Sequence, residues 1–281
     1  MADVSAADVA ALRKASGAGM MDCKKALQET GGDLEAAKEW LRKKGLAGAS
    51  KRAGRAAEQG AIEVLVEGGV GAIAELTAET DFVAKGTDFT ETVARLARLA
   101  VDAGKDELSE LEFDGATVGE HITQLAAKLG ENVALGRVIV FETADGLLDG
   151  YQHVQNERGT IGVLVELAGV DRGDAKAQEA AHDVALHIAS AAPRWLSRDD
   201  VPTDVVEKER AVLEELSRNE GKPENALPKI IEGRLNGFFK DNCLLEQGFV
   251  KEPKTTVAKF VEGLGGDATV QRFARVKIGE D

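Results

Sequence analysis

The sequence predicts an α+β protein built from several packed units. Three observations carry that prediction. Apolar side chains recur at helical spacing over residues 5–45, the period drops to two from Ala61, and an order of strand hairpin followed by helix occurs twice. The length, 281 residues, exceeds what one small core organises.

Residues 5–45 read as three short helices. Ser5 caps the first, with Asp8 three residues later, and Val9 and Leu12 form its apolar face. Gly17 and Gly19 stop it. Asp22 reads as the cap of a second helix carrying Ala26 and Leu27. Gly31-Gly32-Asp33 then makes a turn and a new cap, and Leu34, Ala37, Trp40 and Leu41 keep helical spacing until Gly45. Residues 42–58 follow as a basic linker, helical or mobile, with Arg42, Lys43, Lys44, Lys51, Arg52 and Arg55 and no acid between them. No aromatic side chains are interleaved on which bases would stack.

Residues 61–66 then read as a strand, Gly68-Gly69 turns the chain, and residues 71–76 return it. Thr80 caps a short helical turn that Gly86 ends. Residues 88–103 and 117–129 read as helices. A similar passage recurs, with strands at 136–141, 147–154 and 159–166 and a helix over 174–191, so an internal duplication is expected. Four prolines between 193 and 228 punctuate the next region. Helices over 205–218 and 227–239 form a hairpin there. Its apolar stripe has two outlets, packing on itself or on a second copy of the chain, and the sequence does not choose between them. A short helix and a last strand, 273–277, complete the chain.

Net charge is −14, which disfavours a general nucleic-acid binder. The charge is uneven: residues 1–60 hold 11 Lys and Arg against 8 Asp and Glu, and the remainder 24 against 41. Cys23 and Cys243 are too far apart in sequence to suggest a zinc ribbon or a disulfide framework. The opening residues lack the long apolar run of a signal peptide, and no 18-residue apolar span occurs, so a cytoplasmic protein with no membrane segment is expected. P-loop, dinucleotide, zincin and serine-hydrolase motifs are absent. His182 and His187, five apart on one helix, read as partly buried packing residues and not as metal ligands. His153 follows Tyr151 on a strand without a nucleophile or carboxylate partner. No enzyme, cofactor or metal site is expected.

Two segments carry more information. Residues 12–27, Leu-Arg-Lys-Ala-Ser-Gly-Ala-Gly-Met-Met-Asp-Cys-Lys-Lys-Ala-Leu, resemble the N-terminal signature of the elongation factor Ts family. Residues 79–85, Glu-Thr-Asp-Phe-Val-Ala-Lys, resemble its core signature. The resemblance continues through Gly130-Glu131-Asn132, Gly150-Tyr151-Gln152-His153, the helix ending at Pro193, and Glu232-Gly233-Arg234. It implies an N-terminal ubiquitin-associated-like helical domain and linker over 1–54 and a core subdomain over 55–140. A second core subdomain then spans 141–192 and 239–281, interrupted by a projecting antiparallel coiled-coil arm over 193–238. It implies guanine nucleotide exchange on elongation factor Tu, in its GDP-bound and nucleotide-free states, by disturbance of the partner's magnesium and phosphate site. The contacts it implies are Thr80, Asp81, Phe82 and Val83, the loop at Leu129 and Gly130, and His153. Met20, Met21 and Lys24 form the N-terminal contact. Homodimerisation through the arm is the further association it suggests. Over Asp241–Gly248 the sequence departs from the family pattern and no contact is assigned, and a further C-terminal helical module found in some members is not expected.

Composition alone reads Phe82 as a core residue; the signature around it reverses that expectation. Of Met20 and Met21, one is expected to pack inward and the other to face the partner. The main alternative is an RNA- or ribosome-associated protein using the basic segment 42–55. An enzyme with a cleft near His153 and Tyr151 is a second alternative, and a structural oligomer built through 197–238 a third.

Overall fold

The computed structural model describes residues 4–16 and 18–280. Gly17, expected to help stop the first helix, lies outside the described residues. The elements run α1 (Ala6–Ser16), α2 (Met20–Glu29), α3 (Leu34–Arg52), β1 (Gln59–Glu67), β2 (Val70–Ala78), α4 (Asp81–Ala84), α5 (Thr87–Ala103), β3 (Glu112–Phe113), β4 (Ala116–Thr117), α6 (Val118–Leu129) and β5 (Val133–Glu142). There follow β6 (Leu147–Gln155), β7 (Arg158–Ala168), α7 (Ala175–Ala191), α8 (Thr203–Asn219), α9 (Leu227–Asn242), β8 (Gly248–Phe249), β9 (Glu252–Thr256), α10 (Val257–Glu262) and β10 (Thr269–Lys277).

The first three helices enclose a small core of Leu12, Cys23, Ala26, Leu27, Ala37 and Leu41. Ser5 accepts a hydrogen bond from the Asp8 amide at 3.1 Å and donates its hydroxyl to the Asp8 carboxylate. Asp33 caps α3 by accepting from the Glu35 and Ala36 amides. Two expectations are corrected. Asp22 is not a cap: α2 begins at Met20 after Gly19, and Asp22 sits in its first turn, where a carboxylate suits the positive end of the helix dipole. Nor does α3 stop at Gly45; it continues through most of the supposed linker to Arg52. Gly45 instead marks a close crossing with α6, where an added Cβ would lie 2.8 Å from the Ala127 Cβ. Packing outweighs the helix-weakening propensity of that glycine.

Two three-stranded antiparallel sheets form the centre, in orders β1-β2-β5 and β10-β7-β6. Strand β5 belongs to the first sheet, paired on β2, and not to the second passage with which its sequence groups. Each sheet is therefore a hairpin whose second strand takes a third, antiparallel strand after an intervening helical excursion. Alternation along the strands sorts the side chains. Ala61, Ala72, Ala74 and Leu76 face α5 and α6, and Val163, Val165 and Leu167 face α7 and α10. Between the sheets lie Ile62, Ile73, Phe141, Leu148, Leu164 and Val276. The result is four layers, helix–sheet–sheet–helix. Gly162 permits the close approach of the sheets, since a Cβ there would lie 2.7 Å from Ile62, 2.9 Å from Val64 and 3.1 Å from Ile73.

A matched pair of ion pairs joins the sheets. Buried Glu75 on β2 accepts two bonds from the Arg137 guanidinium on β5, which also donates to the Lys277 carbonyl on β10. Buried Glu166 on β7 accepts from Arg272 on β10, which also donates to the Glu142 carbonyl on β5. In both sheets the third strand bulges opposite the glutamate.

Helices α8 and α9 pack on one another through Val206, Leu213, Leu227, Ile231 and Leu235. This hairpin leaves the second half after α7 and returns before β8. The β3–β4 and β8–β9 ribbons, unforeseen in the sequence, contain strands too short to give a readable period.

Candidate functional site

The chain leaves β2 at buried Ala78 and turns at once into α4. Thr80 has extended backbone and its Oγ1 accepts from the Val83 amide at 3.3 Å, as its sequence position led one to expect of a cap. Ala84 points into the core beneath. Phe82 lies two residues earlier, about 200° away around a helical turn, and is driven outward. It is 75% exposed, so it is not a core residue. Lys85 Nζ lies 5.4 Å from its ring centroid and 4.0 Å from the Asp81 carboxylate. Val83 packs partly buried against the core.

The loop after α6 braces this turn. Gly130 ends α6 with φ of 79°, a left-handed conformation that favours glycine, and Leu129 packs half-buried against the core. The next residue, Glu131, accepts from the Thr80 amide at 3.0 Å and from the Thr80 hydroxyl at 2.7 Å. Glu79 in turn accepts from the Asn132 amide at 2.7 Å. Thr80, Asp81, Phe82, Val83, Leu129 and Gly130 are thus brought together. Glu79 and Glu131 are the residues that hold them so. Glu79 opens the core signature and Glu131 lies in the later stretch Gly130-Glu131-Asn132, but pairing across some 50 residues is not readable from a single sequence.

His153 lies exposed on β6, its Nδ1 3.1 Å from the Tyr151 hydroxyl, two residues away on the same strand face. With Gln59, Arg158, Thr160 and Lys277 it lines an open pocket of about 440 Å³. Met20, Met21 and Lys24 line a different concavity, a groove of about 720 Å³ whose walls come from α1, α2 and Val4, with Arg13 and Lys14 at its edge. Both methionines are exposed, at 58% and 73%, which corrects the expectation that one packs inward. No residue of α4 or α6 lines this groove.

Five of the six cations of the basic run have partners on this chain, mostly in surface ion pairs, and Lys51 is exposed. Arg42 and Lys43 pair with Glu39, Lys44 with Asp22, and Arg55 with Glu79, while Arg52 donates to the Ala126 carbonyl. It is not an open stripe of cations. The histidines separate in character. His187 is buried, accepting from the Val250 amide at Nδ1 and bonded through Nε2 to Gln247, and burial pushes its pKa below the usual value. His182, by contrast, is exposed and lies 3.0 Å from Asp149, so it is not a packing residue. Burial pushes the Cys243 thiol up to about 11, which keeps it protonated and unreactive. Among the described residues no helix is long and apolar enough to cross a membrane, and no cluster of three His, Cys, Asp or Glu is placed to hold a metal.

An exposed phenylalanine on a capped, braced turn suits protein contact better than small-molecule chemistry. Comparison with known proteins identifies the family. The family model described as Elongation factor TS matches residues 79–280, beginning at the glutamate that braces α4. The chain belongs to the elongation factor Ts family. It is similar to Elongation factor Ts of Micrococcus luteus, with 46% identity over 99% of this chain and all of that one. Elongation factor Ts of Thermobifida fusca is 47% identical over the whole of both chains. That of Magnetococcus marinus is 43% identical over 99% of this chain and 93% of its own. The elongation factor Ts family is thus matched along the helical unit as well as the two sheets.

Proposed function

We propose that Phe82 is the wedge with which this chain acts on its partner. As a member of the elongation factor Ts family the chain is a guanine nucleotide exchange factor for elongation factor Tu, and not an enzyme. The observation that carries the wedge reading is the exposure of Phe82 on a turn whose backbone is fixed by Thr80, Glu131 and Glu79. A rigid aromatic needs little ordering on binding and contributes about 2 kcal/mol or more when it fills a pocket. Magnesium tolerates only near-ideal octahedral geometry, so a phenyl ring entering beside the partner's magnesium and phosphate site loosens GDP without touching it. Linkage requires the reverse as well: GDP weakens this chain's binding by the same factor.

Asp81, Thr80, Val83, Leu129, Gly130 and His153 surround the wedge in this reading. Met20, Met21 and Lys24 form a second contact, supported by two exposed, adaptable methionines in a groove with a basic edge. The helical unit acts as the ubiquitin-associated-like docking domain. The α8–α9 hairpin is the coiled-coil arm, and exposed Val212 and Leu216 on α8 favour its association with a second copy of the chain. Exchange takes place in the cytoplasm.

The test is stopped-flow release of a fluorescent GDP analogue from elongation factor Tu. The natural chain accelerates release and Phe82→Ala does not; equal acceleration by both removes the wedge.

A further inference from the structure

The β6–β7 turn is made by Asn156 and Glu157, with φ of 52° and 64°, so the hairpin closes tightly between Gln155 and Arg158. Arg158, the first residue of β7, does not extend into solvent; it is 8% exposed. Its Nη1 donates to the Gly60 carbonyl at 2.7 Å and its Nη2 to the Gln59 side-chain oxygen at 3.0 Å. Both acceptors lie at the start of β1, in the other sheet. Gln152 adds a second tie, donating to the Ile62 carbonyl at 2.9 Å and to Glu63 at 3.1 Å. Gly159 lets the backbones approach so closely that a Cβ there would lie 2.1 Å from the Ile62 carbonyl oxygen. The tip of the second sheet's hairpin is therefore fastened to β1 by side chains on both its strands.

The same end of β1 supports α4. Ala61 and Ala84 share one core, so a shift of β1 moves the turn that presents Phe82. His153 projects from the fastened hairpin, five residues before Arg158 and beside it in the pocket wall. A buried guanidinium is expensive to maintain, and burial pulls the Arg158 pKa down while the Asp81 carboxylate opposes that. The opposing charge is thus on α4, although no ion pair forms between them.

We propose that Arg158 is a positioning residue for nucleotide exchange: it clamps the hairpin bearing His153 to the strand that supports α4, so that Phe82 and His153 meet elongation factor Tu as one rigid surface. The inference rests on the reading of Phe82 and His153 as partner contacts. Two donors in a fixed fork reach Gly60 and Gln59 together, which a lysine ammonium on a flexible stem does not reproduce. Charge alone is therefore insufficient.

The experiment measures stimulated release of a fluorescent GDP analogue as a function of chain concentration. The variants are Arg158→Lys, Arg158→Ala and Gln59→Ala, with Phe82→Ala and His153→Ala made singly and together in the natural and the Arg158→Lys backgrounds. Thermal midpoints confirm folding. Arg158→Lys keeps a cation and an aliphatic stem in the buried space, so it supplies the answer if Arg158→Ala does not fold. The expected result is a release rate about tenfold lower for Arg158→Lys in the folded protein. Phe82→Ala and His153→Ala interact in the natural chain and become additive in the Arg158→Lys background, a change that lost stability alone does not produce. An unchanged release curve for Arg158→Lys, with release lost in Phe82→Ala, overturns this role and leaves the wedge standing. So does a Phe82–His153 interaction that persists in that background. An unchanged curve for Phe82→Ala overturns both.

Discussion

The two sheets share a plan and differ at one corner. In each, the central strand carries a buried glutamate, the third strand bulges opposite it, and an arginine of that strand pairs with the glutamate while bonding a carbonyl of the other sheet. The corner after the central strand is where they part. From β2 the chain passes through Glu79 and Thr80 into α4 and lifts Phe82 into solvent. From β7 it passes through Gly169 and Asp171 to the Asp174 cap of α7, with no intervening helical turn. The paired framework is a matter of stability and the corner a matter of contact. The α4 corner changes the course of the chain without touching either arginine pair.

Substitutions break or sharpen that comparison. The largest effect is expected at the corner. Phe82→Ala lowers stimulated GDP release by about 30-fold or more, the equivalent of an interface anchor worth ~2 kcal/mol. Because the ring is exposed, stability changes by no more than about 0.5 kcal/mol; thermal unfolding and stopped-flow release on one preparation check both halves of the statement. Next come Arg137→Ala and Arg272→Ala, each leaving a buried carboxylate without its pair. Each is expected to cost about 2 kcal/mol, less than for a fully buried pair because water reaches both arginines. Urea unfolding measures them, and strongly unequal costs would show that the duplicated pairs are alike in geometry only. Gly162→Ala, which presses a methyl on Ile62, Val64 and Ile73, costs about 1–2 kcal/mol in the same assay and affects both sheets together.

The smallest effect belongs to the second half alone. His187 has its pKa lowered by burial from an ordinary 6.5. In the unfolded chain it takes a proton as the pH falls through about 6.5, while the folded chain resists until a lower pH. Its contribution is complete above that value and is lost below it. The thermal midpoint therefore declines on acidification from pH 7 to 5, and His187→Gln makes the decline shallower.

Much of this architecture was legible in the sequence because local chemistry dictated it. Gly68-Gly69 between alternating strands gave the first hairpin, Asp33 gave the start of α3, and Thr80 gave the cap of α4. What could not be read was pairing at a distance. Nothing local tells β5 to join β2, or Glu131 to hold Thr80. Gly45 misled because a glycine inside a helix looks like a stop until a neighbouring helix needs the space. The sequence named Met20, Met21 and Lys24, and the groove they line follows from the helix packing. Methionine suits core and interface alike, so the sequence left one side chain inward, whereas α2 leaves both exposed.

The base of the α8–α9 hairpin has a consequence of a different kind. Trp195 and Cys243 lie side by side in a parallel bridge, and the outgoing and returning strands exchange backbone bonds through Trp195, Leu196, Leu244 and Leu245. The two ends of a 47-residue excursion are thus neighbours on a finished core. Such a junction works as a socket. Because neither end of the excursion belongs to a strand of the two central sheets, their strand pairing does not depend on what lies between Trp195 and Cys243.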